Sequence, residues 1–282
     1  FGGMYELRDC MDFRDAPSPF EGSLTEAERR RLKHGYYASV SFIDAQVGRL
    51  LDELDRLELR EDTIIVLWGD HGWKLGEHNG WCKQTNFEID TRVPMLIAAP
   101  GAEANGSTSD ALVEFVDIYP TLCDLAGIPT PDELEGDSLT PLLEDASASV
   151  KDAAFSQFSR KHEGVQHMGY AARTDRWRYV EWVRLDTAET VAVELYDHAN
   201  DAAENVNVAV KPEFESVIRT HQEILWAGFT RPNPGTVLRT PKPETTQAAP
   251  QTRPVLHIEN PRDEAVVIYW IDDQGERRRV GF

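Results

Sequence analysis

The stretch from Gly69 to Lys83, GDHGWKLGEHNGWCK, concentrates side chains that bind metal ions and anions. Two histidines, two acids and two lysines share it with four glycines. Asp70 and His71 supply a carboxylate oxygen and an imidazole nitrogen, and both are competent ligands for a divalent cation. The glycines let the backbone turn tightly around a bound group. The pattern therefore predicts a metal site at Asp70 and His71.

An ordinary turn is the alternative explanation for the same residues. A strand followed by Asp-His-Gly is also typical of a turn in which Asp70 caps the next segment. The number of coordinating groups favours the metal site, because a solvated loop without hydrophobic periodicity has little reason to hold so many of them.

The elements on either side must hold this stretch in place. The apolar run Ile64–Trp68 predicts a strand buried on both faces, within a sheet that helices cover. Ligands in open α/β sheets gather at the carboxyl ends of such strands, where Asp70 stands. Thr25 and Glu28 form a capping box at the start of an amphipathic helix, which we expect to reach Leu57 and to lie on the sheet.

The signals beyond the glycine-rich stretch predict an α/β layer followed by an antiparallel one. Residues 93–100 predict a second buried strand, 111–116 a third short strand, and 118–126 a helix that ends at Gly127. Aromatic and alternating segments then predict a smaller α+β subdomain with an antiparallel sheet. Its strands are expected at 177–183 and 193–196, after the segments 153–160 and 168–173, and its last helix at 212–226.

The composition of the sequence indicates how the chain divides into domains and which partners it disfavours. We expect an α/β domain over residues 1–150, the α+β subdomain over 151–230, a proline-rich linker over 231–254 and a β-module over 255–282. The net charge of −20, with 49 acidic against 29 basic residues, argues against nucleic acid and anionic membranes as partners. Three cysteines form neither a disulfide framework nor a zinc site.

Several motifs in order resemble the type I sulfatases, and within them the iduronate-2-sulfatase-like members. They are the glycine-rich stretch, YASVSFIDAQVGRLL at 37–51, VDIYPTLCDLAG at 116–127 and GDSLTPLL at 136–143. The resemblance covers residues 36 to about 229. It implies the fold of the alkaline-phosphatase and sulfatase superfamily, a mixed sheet flanked by helices.

The resemblance also implies roles for individual residues. Asp70 and His71 would ligate one calcium ion, together with residues outside this chain, and Lys83 would be catalytic by holding the sulfate group. His78 is predicted as a second catalytic residue that assists proton transfer, and a structural hydrogen bond is the alternative.

Four residues are predicted to bind the substrate: Trp73, Lys83, Arg160 and His162. Trp73 would wall a sugar, or else fill the core. Arg160 and His162 are placed in a polar loop after a strand, where an anionic sugar needs cationic partners; a plain exposed loop is the alternative. Arg173 is instead expected to pair with a buried acid.

The nucleophile that the resemblance implies is absent from this sequence. Sulfatases convert the cysteine or serine of a Cys-x-Pro-Ser-Arg motif to formylglycine, and no such motif surrounds Cys10, Cys82 or Cys123. We therefore expect the chain to begin partway through a larger protein, whose N-terminal portion completes the site, and to be inactive alone. By resemblance, the protein would be periplasmic, secreted or lysosomal-like.

The C-terminal residues carry a second, shorter resemblance. Residues 258–278 resemble the opening of the von Hippel-Lindau β-domain, a module that binds hydroxyproline peptides in one case. Trp270 matches a pocket tryptophan of that module, whereas Val280 stands where a pocket tyrosine is expected. The resemblance implies an incomplete β-module with a possible peptide or protein partner.

The predicted activity is the hydrolysis of sulfate esters on sulfated sugars, with sulfated uronate-containing glycans as the substrate class that the resemblance implies. The first alternative is a phosphodiesterase or phosphonate hydrolase of the same superfamily, because the metal-binding stretch fits both. The second is a catalytically incomplete chain that acts as a binding module.

Overall fold

The computed structural model describes residue 16, residues 22–234 and the backbone of three C-terminal strands. The chain divides into two compact units, Phe1–Val237 and Leu238–Phe282. Most of the predicted linker lies outside the described residues, and the three boundaries between the four predicted segments stay predictions. No helix in the described ranges combines the length and the apolar character that crossing a membrane requires.

Helix α1, Glu26–Arg56, begins at the predicted capping box. The backbone N–H of Glu28 donates to Thr25 Oγ1 at 3.3 Å, and the Thr25 N–H donates to the Glu28 carboxylate at 2.7 Å. The helix contacts the short strand at Lys74–Leu75. None of its side chains is buried, and Phe42 is 63% exposed. The described residues therefore leave uncovered much of the apolar face that the periodicity predicts to lie on a sheet.

Two antiparallel pairs of strands frame the glycine-rich stretch. The strands are β1 (Ile65–Trp68), β2 (Lys74–Leu75), β3 (Trp81–Cys82) and, after the four-residue helix α2 (Glu88–Thr91), β4 (Met95–Ala98). β1 pairs with β4 so that Trp68 lies opposite Met95, and β2 pairs with β3 so that Lys74 lies opposite Cys82. The residues between β1 and α2 thus form a compact hairpin at the end of β1.

The prediction of strands at β1 and β4 is confirmed, but the prediction that both faces are buried is wrong for the described residues. Leu67, Trp68 and Leu96 are 41%, 48% and 57% exposed. An apolar run of this kind favours burial on both faces, but in the described residues Leu67 and Leu96 are exposed on one face of the β1–β4 pair and Trp68 is exposed on the other.

The predicted strand at 111–116 is also wrong. Residues 108–114 have no regular structure, and Phe115–Asp117 form a 3₁₀ turn. The fully buried carboxylate of Asp117 decides this conformation: it accepts the N–H of Glu114 at 2.6 Å and binds Lys151 Nζ at 2.6 Å. Tertiary hydrogen bonds to one acid therefore override the local strand propensity of the segment.

The helix predicted after this turn is confirmed. Helix α3, Ile118–Ala126, ends at Gly127, whose φ of 64° lies in the left-handed region that favours glycine. Helix α4, Thr140–Glu144, follows within the segment that resembles sulfatases.

The predicted antiparallel subdomain is confirmed as a four-stranded sheet in the order β5-β6-β7-β8. Its strands are Ala154–His162, Val165–Arg173, Trp177–Arg184 and Thr190–Asp197. Helix α5, Glu215–Gly228, packs on β6 and β7 and buries Leu225 completely.

The placement of Arg160 and His162 in a loop is wrong. Both lie within β5, where Arg160 pairs with His167 and His162 pairs with Val165 on β6. The polar run around Lys161 lacks the β-branched residues that indicate a strand, and long-range pairing with β6 determines its structure instead.

The C-terminal unit contains a three-stranded antiparallel sheet in the order β11-β10-β9. Its strands are β9 (Leu256–Glu259), β10 (Val267–Ile271) and β11 (Arg277–Arg279). All three strands lie within the β-module that the sequence predicts over residues 255–282. Trp270 pairs with Leu256 and Arg278, whereas Val280 lies outside the described residues.

Candidate active site

The predicted metal ligands lie directly after β1. The backbone N–H of Gly69 donates to the carbonyl of Pro94 at 3.0 Å and extends the β1–β4 ladder by one bond. Asp70 then turns outward, with its side chain 84% exposed, and its carboxylate accepts the N–H of His71 at 3.1 Å. The strand therefore presents a solvated carboxylate beside a half-buried imidazole.

A hydrogen bond to the backbone orients the His71 imidazole. Its Nδ1 lies 2.9 Å from the carbonyl oxygen of Gly72, which only accepts, so Nδ1 carries the proton. The lone pair is left on Nε2, which lies 3.2 Å from Asp70 Oδ2 and 2.8 Å from Lys83 Nζ. The structure thus brings together Asp70, His71 and Lys83, as the sequence predicts.

This donor set fits a divalent cation. The Nε2 lone pair and the Asp70 carboxylate meet at the same point, and a hydrogen bond from the second ring nitrogen is the usual way that a metal-binding imidazole is oriented. Calcium takes about six to eight ligands, mostly oxygens, so these two residues fill only part of its shell.

Trp73 links the imidazole to helix α1. Its ring stacks on His71 at 6.0 Å between centroids and on Tyr36 at 6.3 Å. It also packs against the buried cluster that contains Trp81 and Leu24. Trp73 therefore holds His71 in place, and its contact with a sugar stays a prediction.

Lys83 is held between two residues with left-handed backbone conformations. Cys82 has a φ of 70° and Gln84 a φ of 74°, which non-glycine residues rarely adopt. Trp81 and Cys82 are each only 4% exposed, so packing enforces the conformation of Cys82, whereas Gln84 is exposed. Such local strain is typical of functional loops.

His78 packs against Phe87 and not against His71 or Lys83. Its ring stacks on Phe87 with 4.0 Å between centroids and an interplanar angle of 7°, and Phe87 in turn contacts Tyr196. Within the described ranges, no hydrogen bond connects His78 to His71 or Lys83. The catalytic role of His78 stays a prediction.

The two substrate-binding candidates on β5 differ in their position. The guanidinium of Arg160 donates to the carbonyl oxygen of Gln84, the residue after Lys83, and lies 4.4 Å above the ring of Phe158. The ring of His162 lies 6.4 Å from that of His167 on β6. Arg160 is therefore brought beside the lysine of the site, and the sugar-binding roles of both residues stay predictions.

A buried ion network ties α2 to the sheet of the subdomain. Arg173 Nε pairs with Glu88 at 3.1 Å, as expected of a buried arginine, and Arg178 binds both Glu88 and Glu204. Burial alone raises the pKa of each carboxyl. Arg178 and Arg173 reverse this effect at Glu88, and His198 with Arg178 reverses it at Glu204, so both pKa values are lowered.

No local pattern in the sequence indicates this network, because its members are up to 116 residues apart. Ligand atoms of Glu88, His198 and Glu204 lie within 4.8 Å of one another, a spacing that a metal ion could use. Arg178 already neutralises both carboxylates, so the arrangement stabilises the fold instead of forming a cation site.

A groove of about 1840 Å³ gives access to the site. Its lining includes Asp70 and His71 at one part and Arg173, Arg178 and Ser156 at another. The predicted metal ligands therefore open onto a space large enough for a sugar ring, whose wall carries acids such as Glu103 and Asp110 as well as arginines that are paired with Glu88.

Comparison with known proteins identifies the family. The family described as "Sulfatase" matches residues 10–128, and the one described as "N-sulphoglucosamine sulphohydrolase, C-terminal" matches residues 76–228. Iduronate 2-sulfatase of Mus musculus is 32% identical over 250 residues, which cover 66% of this chain and 45% of that protein. Arylsulfatase K of Bos taurus is 34% identical over 206 residues, covering 69% and 36%. The chain thus spans less than half the length of these relatives.

Solved structures show the same fold. A protein in complex with its substrate D-glucosamine-2-N,6-O-disulfate matches with a TM-score of 0.64 and 28% identity, over 79% of this chain and 45% of that one. The phosphonate monoester hydrolase of Agrobacterium radiobacter matches with a TM-score of 0.64 and 25% identity, over 80% and 49%. The predicted α/β fold of the alkaline-phosphatase type is therefore confirmed. Because the two family matches together run from residue 10 to residue 228 and include every predicted site residue, the chain belongs to the sulfatase family.

Proposed function

We propose that this chain forms the metal-binding and sulfate-binding part of a sulfuric ester hydrolase that acts on sulfated sugars. The observation that carries the proposal is the convergence of Asp70 and His71 with Lys83, whose Nζ lies 2.8 Å from the imidazole. A carboxylate, an imidazole and an ammonium group that meet beyond the end of a strand suit a cation and an anionic ester side by side.

Lys83 is the residue that would act on the sulfate group itself. Transfer of a sulfuryl group between oxygens requires an aligned nucleophile and neutralisation of the charge on the surrounding oxygens. The Lys83 ammonium, held rigidly between Cys82 and Gln84, would neutralise a sulfate oxygen or the leaving oxygen. A pre-positioned charge needs no reorganisation during the reaction, which is the main source of its effect.

Sulfatases depend on metal ions, and we propose calcium as the ion at Asp70 and His71. When bound, a divalent cation polarises the sulfate oxygens. Asp70 would hold it through a solvated carboxylate, and His71 through Nε2, with Gly72 and Trp73 keeping the ring in its orientation.

Sulfated uronate-containing glycans are the proposed substrate class. A relative with 32% identity is named iduronate 2-sulfatase, and a structural neighbour binds a disulfated glucosamine. Because the chain carries a net charge of −20, an anionic glycan must be held by local cations, and Lys83 and Arg160 lie on adjoining segments.

The N-terminal portion of the same protein is the proposed source of the formylglycine nucleophile and of the remaining metal ligands. The relatives are more than twice as long as the matched segment, at 45% and 36% coverage. The exposed apolar side chains of Leu67, Trp68 and Leu96 offer a surface against which such a portion would pack.

Phosphonate or phosphodiester hydrolysis is the second candidate. The structural match to a phosphonate monoester hydrolase favours it, because a tetrahedral anionic ester would use the same cation and the same lysine. The identity of the nucleophile, which we propose lies in the N-terminal portion, decides between the two.

The test uses the full-length protein from its native source. Peptide mass spectrometry would locate a cysteine or serine converted to an aldehyde, and release of inorganic sulfate from sulfated disaccharides would be compared with hydrolysis of a phosphonate monoester. We expect an aldehyde residue, sulfate release, and loss of activity in a chelator that calcium reverses. An unmodified nucleophile with preferred phosphonate hydrolysis would overturn the sulfatase proposal.

A further inference from the structure

A buried ion pair lies beside the candidate site and takes no part in the proposed reaction. Lys74 is 1% exposed and Asp90 is 5% exposed, although lysine and aspartate are rarely buried unless they are paired. Lys74 Nζ forms an ion pair with Asp90 Oδ2 and donates to Thr85 Oγ1 at 3.3 Å. The surrounding segments therefore meet at one buried carboxylate.

Asp90 reaches the segment that carries His71. The backbone N–H of Gly72 donates to the carbonyl oxygen of Asp90 at 2.8 Å, and the carbonyl of Gly72 accepts the Nδ1 proton of His71. The packing here is close, because a Cβ on Gly72 would lie 1.9 Å from the carbonyl oxygen of Ile89. The imidazole is thus held at a fixed distance from α2.

Asp90 also reaches the segment that carries Lys83. The N–H and the hydroxyl of Thr85 both donate to Asp90 Oδ2, the former at 2.8 Å. On the other side, Lys74 lies opposite Cys82 in the β2–β3 pair, one residue before Lys83. The ion pair thus clamps both ends of the segment from Cys82 to Thr85, in which two residues adopt strained backbone conformations.

We propose that Asp90 is a positioning residue that, together with Lys74, fixes the distance between His71 Nε2 and Lys83 Nζ. The pair thereby sets the affinity of the site for its divalent cation and the alignment of Lys83 with the sulfate group. This inference rests on the proposed function. A displacement of about 1 Å in a catalytic constellation lowers rates by about a hundredfold, so a clamp at this place has a measurable effect.

The experiment compares variants of the full-length protein by calcium titration calorimetry, steady-state kinetics and thermal unfolding. Asp90→Asn is expected to weaken calcium binding by about tenfold and to lower kcat more than it changes KM. The double variant Lys74→Met with Asp90→Leu removes both charges, so it is expected to regain thermal stability but not calcium affinity or kcat. If the double variant regains all three, the pair is only structural and the proposal is overturned.

A spectroscopic measurement separates this inference from the proposed function. In metal-free protein with ¹⁵N-labelled histidine, Asp90→Asn is expected to shift the ring-nitrogen resonances of His71, because the Lys83 contact changes. An unshifted spectrum contradicts the positioning role even if the wild type proves inactive on sulfate esters. Absence of sulfate release or calcium binding in the wild type would instead count against the proposed function.

Two further variants keep the comparison interpretable. Thr85→Val keeps the buried ion pair but removes one donor to Asp90, and a severalfold weaker calcium affinity is expected even if Asp90→Asn fails to fold. Asp186→Asn breaks an exposed ion pair with Arg184 at 2.6 Å and serves as the matched control, with unchanged calcium affinity and kcat.

Discussion

His71 Nε2 lies 2.8 Å from Lys83 Nζ, and this contact joins the end of strand β1 to the end of the β2–β3 hairpin. The imidazole presents a lone pair there because its other nitrogen donates to Gly72. A group suited to a cation and a group suited to an anion therefore lie within one hydrogen bond of each other, which is the relationship that metal-assisted hydrolysis of an anionic ester requires.

Replacement of Lys83 by methionine in the full-length protein is expected to lower kcat/KM on a sulfated disaccharide by about 10² to 10³-fold. The methionine keeps the packing but removes the charge that would face the sulfate group. Steady-state sulfate release measures the effect. Lys33→Met, which removes an exposed lysine of α1, is the control and should leave kcat/KM unchanged; an equal loss in both variants would contradict a specific role for Lys83.

Replacement of His78 by phenylalanine tests whether that histidine transfers protons. Because its ring stacks on Phe87 at 4.0 Å, phenylalanine preserves the contact, and thermal stability should stay close to that of the wild type. From this geometry we expect kcat to fall by less than about threefold, since a general acid or base contributes about 10² to 10⁴-fold. A hundredfold loss of kcat with unchanged stability would establish the catalytic role.

The parts of the fold that sequence predicts are those with local causes. The capping box at Thr25 and Glu28 and the left-handed Gly127 depend on residues within one turn, and the structure contains both. The site residues Asp70 and His71 follow from a strand end, which is also local. The resemblance of its motif predicts that Lys83 lies near them, and the structure shows its contact with His71.

The parts that sequence misses depend on distant partners. Nothing near Asp90 in α2 indicates that it is buried, because its partner Lys74 precedes it by 16 residues and lies in strand β2. The segment 111–116 has the composition of a strand, yet buried Asp117 and Lys151, 34 residues apart, determine its turn. Arg160 lies in a strand because of its pairing with β6, which its polar neighbours do not indicate.

Replacement of Arg178 by methionine is expected to lower the free energy of unfolding by about 3–5 kcal/mol. Arg178 is 3% exposed and its partner Glu204 is 1% exposed, so the substitution removes a buried cation and leaves Glu88 with Arg173 and Glu204 with His198. Urea unfolding at neutral pH measures the change. Arg184→Met breaks an exposed ion pair and should change stability little; a similar loss in both variants would show that burial of the Arg178 network is not the cause.

Replacement of Gly72 by alanine is expected to destabilise the protein and to weaken calcium binding together. The added methyl group would lie 1.9 Å from the Ile89 carbonyl oxygen, so the backbone beside His71 must move. Gly48→Ala in α1 has no described atom within 4 Å of the new methyl group and should stabilise the helix by about 0.5–1 kcal/mol. Thermal unfolding with and without calcium compares the two, and a Gly72→Ala protein with wild-type calcium affinity would contradict the close packing.

Replacement of Arg176 by glutamine is expected to lower stability at neutral pH but not in strong acid. Arg176 binds Asp197 through two hydrogen bonds of 2.7 Å, which lower the pKa of that carboxyl below its ordinary value of 3.8. A lowered pKa in the folded state means that the ionised carboxylate stabilises the fold above the pKa of the unfolded chain, and that this stabilisation is lost as the pH falls below it.

The difference in Tm between the wild type and Arg176→Gln should therefore be constant from about pH 7 to pH 5 and shrink as the pH falls towards about 2.5. Because Arg176 is half exposed, the difference should also decrease with added salt. Arg219→Gln, which breaks the exposed pair with Glu215 on α5, is the control and should show little difference at any pH. A difference that stays unchanged in acid would mean that Arg176 stabilises the fold through packing on Trp177, whose ring lies 4.6 Å from its guanidinium, and not through the ionised carboxylate.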